Sequence, residues 1–247
     1  MSDFYHPIDM SLNMSSQTNS RPHTIISIEG NIGSGKSTLL EKLKINYKNN
    51  PKIVFLDEPV SSWNNIRDTS GVTMLEKFYG DQEKYSFPFQ MMAYISRLAV
   101  IKNAIKINPG CIFISERCLY TDKYVFAKML YDTGKIEDVN YQIYNEWFDT
   151  FVDEFIVRQI VYVRTSSDVC FDRIKLRSRD GEGSIPHEYL QDCHDYHTNM
   201  MQTMTKDKKT GILVLDGNVN IYNDPFHLRS WISNIDRMIN DVSNSTI

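Results

Sequence analysis

Gly30-Asn31-Ile32-Gly33-Ser34-Gly35-Lys36-Ser37 fills every fixed position of the pattern G-x-x-x-x-G-K-[ST]. Glycines at these spacings let the backbone turn so tightly that consecutive N–H groups point inward, at an anion. The apolar run before it, Thr24–Glu29, reads as a strand, and Ser37–Tyr47 after it reads as a helix whose N-terminal end adds positive potential. Gly30, Asn31, Gly33, Ser34, Gly35, Lys36, Ser37 and Thr38 are therefore the expected phosphate cradle. Lys36 is expected to reach the β- and γ-phosphates of a nucleotide, and Ser37 to offer its hydroxyl to Mg²⁺. This loop identifies a nucleotide binder; switches, motors and transferases share it.

Four further apolar runs outward from the loop read as strands: Lys52–Asp57, Cys111–Ser115, Gln159–Arg164 and Ile212–Asp216. Each is nearly continuous in hydrophobicity rather than alternating, which is the signature of a parallel sheet covered on both faces. Helical stretches lie between them: a long one from Gln82 to about Ile107, then Tyr120–Leu130 and Val139–Phe155. Others are Ser167–Arg177, His187–Met204 and Pro225–Ile239. The alternation predicts a doubly wound α/β P-loop fold with a five-stranded parallel sheet. No internal repeat or long linker interrupts residues 24–247, which are expected to form one domain. Residues 1–23, rich in Ser, Asn and Met, are expected to be a disordered polar leader.

Bulk properties narrow the partners. The net charge of −4 argues against a protein that coats nucleic acid, which gains affinity from a basic face. The 4 cysteines form no CxxC pair, as expected in a reducing compartment such as the cytoplasm. No apolar run approaches the roughly 20 residues needed to span a bilayer. A small phosphorylated ligand fits best.

Three clusters bear on what is done with the nucleotide. The second strand ends in Asp57-Glu58-Pro59-Val60, and ligands of open α/β sheets collect at the carboxyl ends of strands. Glu58 there could take a proton from an attacking alcohol; by itself it reads equally as a solvated turn residue before Pro59. The third strand ends in Ser115-Glu116-Arg117, where P-loop proteins keep an acidic residue for Mg²⁺. Arg117 would meet the acceptor or the moving phosphoryl group. Arg173 and Arg177, four apart on one helix face, precede Arg179 and Asp180-Gly181-Glu182-Gly183. Three guanidiniums beside a glycine-containing loop suit an Arg-rich lid over phosphates.

The chain resembles the deoxyribonucleoside kinases of the deoxycytidine, deoxyguanosine and insect-type group, from about Ile25 to Asp216. The matching stretches, in family order, are IEGNIGSGKST, EPV followed by Trp63, YSFPFQMMAYISR, ERCLYTDKYVFA and DRIKLRSRDGEGSIPHEYL. Cys118 departs from the Ser that usually follows Glu-Arg, which bears on local hydrogen bonding. The resemblance implies a P-loop kinase fold and transfer of phosphate from ATP, with Mg²⁺, to a nucleoside 5′-hydroxyl. It implies Glu58 as general base, steadied by Arg117. Glu116 and Ser37 would organise Mg²⁺, and Lys36, Arg173, Arg177 and Arg179 would hold the phosphates. Tyr79 and Glu182 match the residues that contact the sugar 3′-hydroxyl. Gln90 would read the base edge, Phe89 and Phe126 would sandwich the base, and Trp63 would line the pocket.

Ala93, Arg97 and Asp122 would set base preference. Thymidine-preferring relatives carry apolar residues in place of the Arg–Asp pair, so deoxycytidine, deoxyadenosine or deoxyguanosine is expected over thymidine. The resemblance also implies a homodimer, and Val139–Phe155, with Trp147, Phe148, Phe151 and Phe155, offers either an interface or a core helix. The alternatives are a nucleoside monophosphate kinase of the thymidylate type and a P-loop protein that binds nucleotide without transfer. A monophosphate acceptor would need cations at its own phosphate, whereas Glu58, Tyr79 and Gln90 face the acceptor here, with Arg117 the main cation.

Overall fold

The computed structural model describes residues 23–177, 183, 185–206 and 210–245. The leader expected at residues 1–23 lies outside the described residues except for His23, and so do Arg179 and Glu182.

Element order is β1 (Thr24–Glu29), α1 (Lys36–Asn46), β2 (Ile53–Leu56), α2 (Val60–Trp63), α3 (Met74–Gly80), α4 (Gln82–Ile107) and β3 (Ile112–Glu116). Then come α5 (Leu119–Thr121), a π-helical segment (Asp122–Ala127), α6 (Lys128–Asp132), α7 (Asp138–Phe151), β4 (Val157–Arg164) and α8 (Ser167–Arg177). The chain closes with α9 (His187–Lys206), β5 (Gly211–Asp216) and α10 (Pro225–Ser245). The five strands are all parallel, in the order β2-β3-β1-β4-β5.

The central strand β1 is buried at every residue. Its side chains alternate, Ile25 to one face and Ile26 and Ile28 to the other. The second face is covered by Leu39, Leu40 and Leu43 of α1 and by Trp231, Ile235 and Ile239 of α10. Tyr94 and Ile101 of α4, Tyr144 and Phe148 of α7, and Met200, Met201 and Met204 of α9 cover the first. Burial on both sides explains the continuous apolar runs. β5 departs from that expectation: only Leu215 is buried and Val214 is exposed, because an edge strand has a neighbour on one side alone.

Two other expectations are corrected. The helix expected over Val139–Phe155 ends at Phe151, and a 3₁₀ turn, Val152–Glu154, redirects the chain so that Phe155 enters the core. The helix expected over Tyr120–Leu130 contains the wider π-helical turn at its centre, a feature often found at functional sites. From the central β1, β2 and β3 lie to one side of the sheet and β4 and β5 to the other. The crevice of such a sheet opens at the carboxyl ends of its strands, where the phosphate loop, Glu58 and Glu116-Arg117 all lie.

Candidate active site

The loop between β1 and α1 is built around its glycines. Gly30 has φ 146°, and a Cβ there would stand 2.6 Å from the Val163 carbonyl oxygen. At Gly33, φ is 77° and a Cβ would stand 2.7 Å from the Cys170 carbonyl oxygen. Neither position tolerates a side chain. Asn31 shapes the loop from behind: its Nδ2 donates to the Leu190 carbonyl (2.7 Å) and its own carbonyl accepts from Lys36 Nζ (2.8 Å). Gly30 and Asn31 thus support the loop, while Gly33, Ser34, Gly35, Lys36, Ser37 and Thr38 line the cavity in front of it. The Ser34 carbonyl accepts from Thr165 Oγ1 (3.1 Å) and from Arg173 Nη1 (3.2 Å), which ties α8 to the loop. Burial, reinforced by Arg117, lowers the Lys36 pKa to about 8, against the pull of Glu116 and Glu58.

Ser37 Oγ donates to Glu116 Oε1 at 2.8 Å. A hydroxyl and a carboxylate side by side under the phosphate loop are hard oxygen donors of the kind Mg²⁺ takes alongside phosphate oxygens and water. Among the described residues no cluster of three His, Cys, Asp or Glu side chains could hold a metal. A cation at this pair would therefore draw most of its ligands from the nucleotide and solvent, which the donor set fits.

Glu58 follows β2 and is half-buried between two arginines. Arg97 Nη2 donates to its Oε1 at 3.0 Å, and Arg117 Nε lies 3.2 Å from the same oxygen. Burial favours the neutral acid, but Arg117, Arg97 and Lys36 outweigh it and hold the Glu58 pKa at about 2. Arg97 itself is buried and engaged at all three nitrogens, its Nε also donating to Asp122 Oδ2 (2.9 Å) and its Nη1 to the Glu116 carbonyl (2.7 Å). Burial works against its charge, yet Asp122 and Glu58 keep it protonated. Asp122, also buried, is raised to about 6 by burial against the attraction of Arg97. Arg117 is the one non-glycine residue with positive φ (64°) among the described residues, a strained conformation of the kind that gathers at functional sites.

These groups open on one cavity of about 460 Å³. Lys36, Ser37, Thr38, Glu116, Arg173 and Arg177 line it together with Glu58, Trp63, Tyr79, Phe89, Gln90, Ala93, Arg97, Arg117, Asp122 and Phe126. Phe89 is held by face-to-face stacking on Phe78 (4.4 Å between centroids, 12° between planes) and by the edge of Trp63 at 5.8 Å. Trp63 is fixed in turn by its Nε1, which donates to Ser96 Oγ at 2.8 Å. The Phe126 ring carries the Arg117 guanidinium 4.9 Å from its centroid. Gln90 is buried and its amide makes no hydrogen bond to another described residue. At Cys118, the departure from the family pattern, Sγ lies 3.6 Å from Thr121 Oγ1, and burial, aided by Glu29, raises the thiol pKa so that it stays protonated.

Sequence reasoning missed several lining residues. Val60, Leu75, Phe78 and Tyr189 also line the cavity, as do Gly217, Val219, Asn220, Ile221, Tyr222 and Trp231. A signal for α3 was present: Thr73 and Glu76 form a reciprocal capping box at its start. The segment from Gly217 to Tyr222 follows β5, where the strand-end rule that located Glu58 applies equally.

The chain matches the family model for deoxynucleoside kinase over residues 26–240. It is 34% identical over 224 residues to a fowlpox virus protein named as a probable deoxycytidine kinase, an alignment covering 89% of this chain and 90% of that one. It is 33% identical over 227 residues to deoxycytidine kinase 2 of Gallus gallus, covering 81% and 84% of the two chains. It is also 34% identical over 176 residues to mitochondrial thymidine kinase 2 of Homo sapiens, covering 70% and 63%. A glycine-built phosphate loop and a charge-clamped carboxylate lining one cavity, and likeness along most of its length, place this chain in the deoxynucleoside kinase family, as an enzyme that phosphorylates nucleosides with a nucleotide donor.

Proposed function

We propose that the enzyme transfers the γ-phosphoryl group of ATP to the 5′-hydroxyl of a deoxyribonucleoside and prefers deoxycytidine, deoxyadenosine or deoxyguanosine to thymidine. The observation that supports this reading is that Glu58, paired with Arg97 and Arg117, lines the same cavity as the phosphate loop. Phosphoryl transfer asks little covalent help of a protein; positioning and charge compensation dominate. Glu58 accepts the hydroxyl proton, and Arg117 steadies Glu58 and meets the developing charge. Lys36, Arg173 and Arg177 hold the phosphates, with Arg179 beyond the described residues assigned the same role. Mg²⁺, held by Ser37 and Glu116, would neutralise phosphate charge when bound. Negative phosphates against Lys36 and Arg117 offset two of the three cations that depress Glu58, so its basicity rises when the donor is in place.

The base is read by Gln90, whose amide both donates and accepts, and sandwiched between Phe89 and Phe126. Tyr79, with Glu182 outside the described residues, is assigned to the 3′-hydroxyl. The Arg97–Asp122 pair offers donors and an acceptor to an amino-bearing base, with Ala93 leaving room beside it. The free thiols of Cys111, Cys118, Cys170 and Cys193 suit a cytoplasmic enzyme. On α7, Phe148 belongs to the core, but Val139, Ile143 and Trp147 recur every four residues on an exposed stripe, and Phe151 stacks on Trp147 at 5.9 Å. This stripe is the surface we assign to a homodimer; no helix among the described residues is long and apolar enough to cross a membrane.

Incubation with Mg·ATP and each of the four deoxynucleosides tests the reaction directly. Glu58→Gln is expected to lower kcat by about 10²–10⁴-fold while nucleoside binding, followed by calorimetry, persists; undiminished turnover would remove Glu58 from the chemistry. Lys36 is charged below its pKa and loses its charge as pH rises through about 8. Since kcat/KM for ATP reports the free enzyme, it is expected to fall above that pH, and a profile flat to pH 9.5 or so would contradict the assignment. Arg97→Met combined with Asp122→Ala is expected to raise thymidine's kcat/KM relative to deoxycytidine's while lowering turnover overall, because Arg97 also supports Glu58. Unchanged ratios among the four nucleosides defeat the proposed preference. Sedimentation is expected to show a dimer that Trp147→Glu converts to monomer; a wild-type monomer at micromolar concentration rules the interface out.

A further inference from the structure

His197, on α9, is wholly buried and belongs to neither the phosphate loop nor the nucleoside wall. Its Nδ1 lies 2.6 Å from the Cys193 carbonyl oxygen, one turn earlier on the same helix. A carbonyl only accepts, so Nδ1 carries the hydrogen and Nε2 presents its lone pair. That lone pair faces Arg117 Nη1 at 3.3 Å. An arginine only donates, so the two neighbours demand the same neutral tautomer. The ring cannot rotate away: Tyr162 of β4 lies parallel to it (6.3 Å, 9°) and Phe126 meets it edge-on (6.2 Å, 90°). Burial, then Arg117, drives its pKa far below the usual histidine range, so the acceptor stays unprotonated at working pH.

Arg117 needs such a support. Its backbone is in the left-handed region, and its guanidinium is held by hydrogen bonds from Nη1 to the Gly30 carbonyl (2.9 Å) and His197 and by an ion pair between Nε and Glu58. The Gly30 contact ties Arg117 to the start of the phosphate loop; the His197 contact ties it to α9. We propose that His197 is a positioning residue for phosphoryl transfer, its Nε2 holding the Arg117 guanidinium in register with the Glu58 carboxylate across the packed body of α9. This rests on the role assigned to Arg117 above.

The test compares His197→Phe, which keeps the aromatic packing and removes both nitrogens, with His197→Gln, whose amide oxygen can occupy the place of Nε2. Steady-state kinetics with Mg·ATP and deoxycytidine, nucleoside affinity and thermal melting are measured for both, alongside Arg117→Ala. His197→Phe is expected to lower kcat about 10- to 100-fold. Its nucleoside KM should move less than about threefold, and its melting temperature should stay within a few degrees of wild type. His197→Gln is expected to recover most of kcat. Wild-type kcat in His197→Phe, or equal losses in the two variants, overturns the inference. If His197→Phe does not fold, His197→Gln decides alone, and a loss of more than about tenfold in its kcat counts against it. An Arg117→Ala enzyme with full activity would instead unseat the role of Arg117.

Discussion

Two arginines sharing one carboxylate are the constraint on which this site depends. Glu58 Oε1 meets both Arg97 and Arg117, and neither arginine is exposed to water. Arg97 extends the network to Asp122 and to the Glu116 carbonyl, and Arg117 extends it to the Gly30 carbonyl. Buried ion pairs are expensive to desolvate, and well-packed apolar groups of the same volume would often serve stability as well or better. At the meeting point of three strand ends these pairs hold a carboxylate ionised where burial alone would neutralise it, which is the state the proposed general base requires.

The parallel sheet makes that arrangement possible. Glu58 follows β2, Glu116 ends β3 and Gly30 follows β1, and β2, β3 and β1 are adjacent in the sheet. Residues far apart in sequence therefore arrive at one rim with their spacing set by strand pairing, which is the stiffest element available. Within the ion-pair network, Arg97 and Asp122 come from helical segments. Asp122 begins the π-helical segment that also contains Phe126, so one local widening of the helix presents a carboxylate and a ring to the same cavity.

Much of this was legible in the sequence because the signals were local. The phosphate loop is a fixed spacing of glycines, and the five strands are continuous apolar runs; each observed strand lies within two residues of its expected bounds. What escaped was set by tertiary context. Phe78 looks like any core aromatic, and only the fold shows it stacked on Phe89. The π-helical turn leaves no pattern distinguishable from α-helical periodicity. His197 is one of several histidines on α9, and nothing local marks it as the one whose lone pair faces Arg117. The β5 run overstated burial because hydrophobicity does not report that a strand lies at the edge. For Val139–Phe155 the choice between core and interface was open in the sequence; the structure divides the helix, giving Phe148 to the core and leaving Trp147 outside.

The same network joins the residues proposed for base preference to the one proposed as general base. Arg97 touches the proposed base-reading carboxylate Asp122 with one nitrogen and the proposed general base Glu58 with another. A guanidinium is planar and rigid, so a shift that suits a different base at one end displaces the contact at the other. Removing Asp122 alone would leave Arg97 buried with less compensation; removing Arg97 alone would strip both carboxylates of a partner. Change of base preference in this architecture therefore has to proceed by replacing the pair together, with Arg117 left to support Glu58. His197 meets Arg117 from outside the nucleoside wall, so the support proposed for Arg117 does not pass through the Arg97–Asp122 pair.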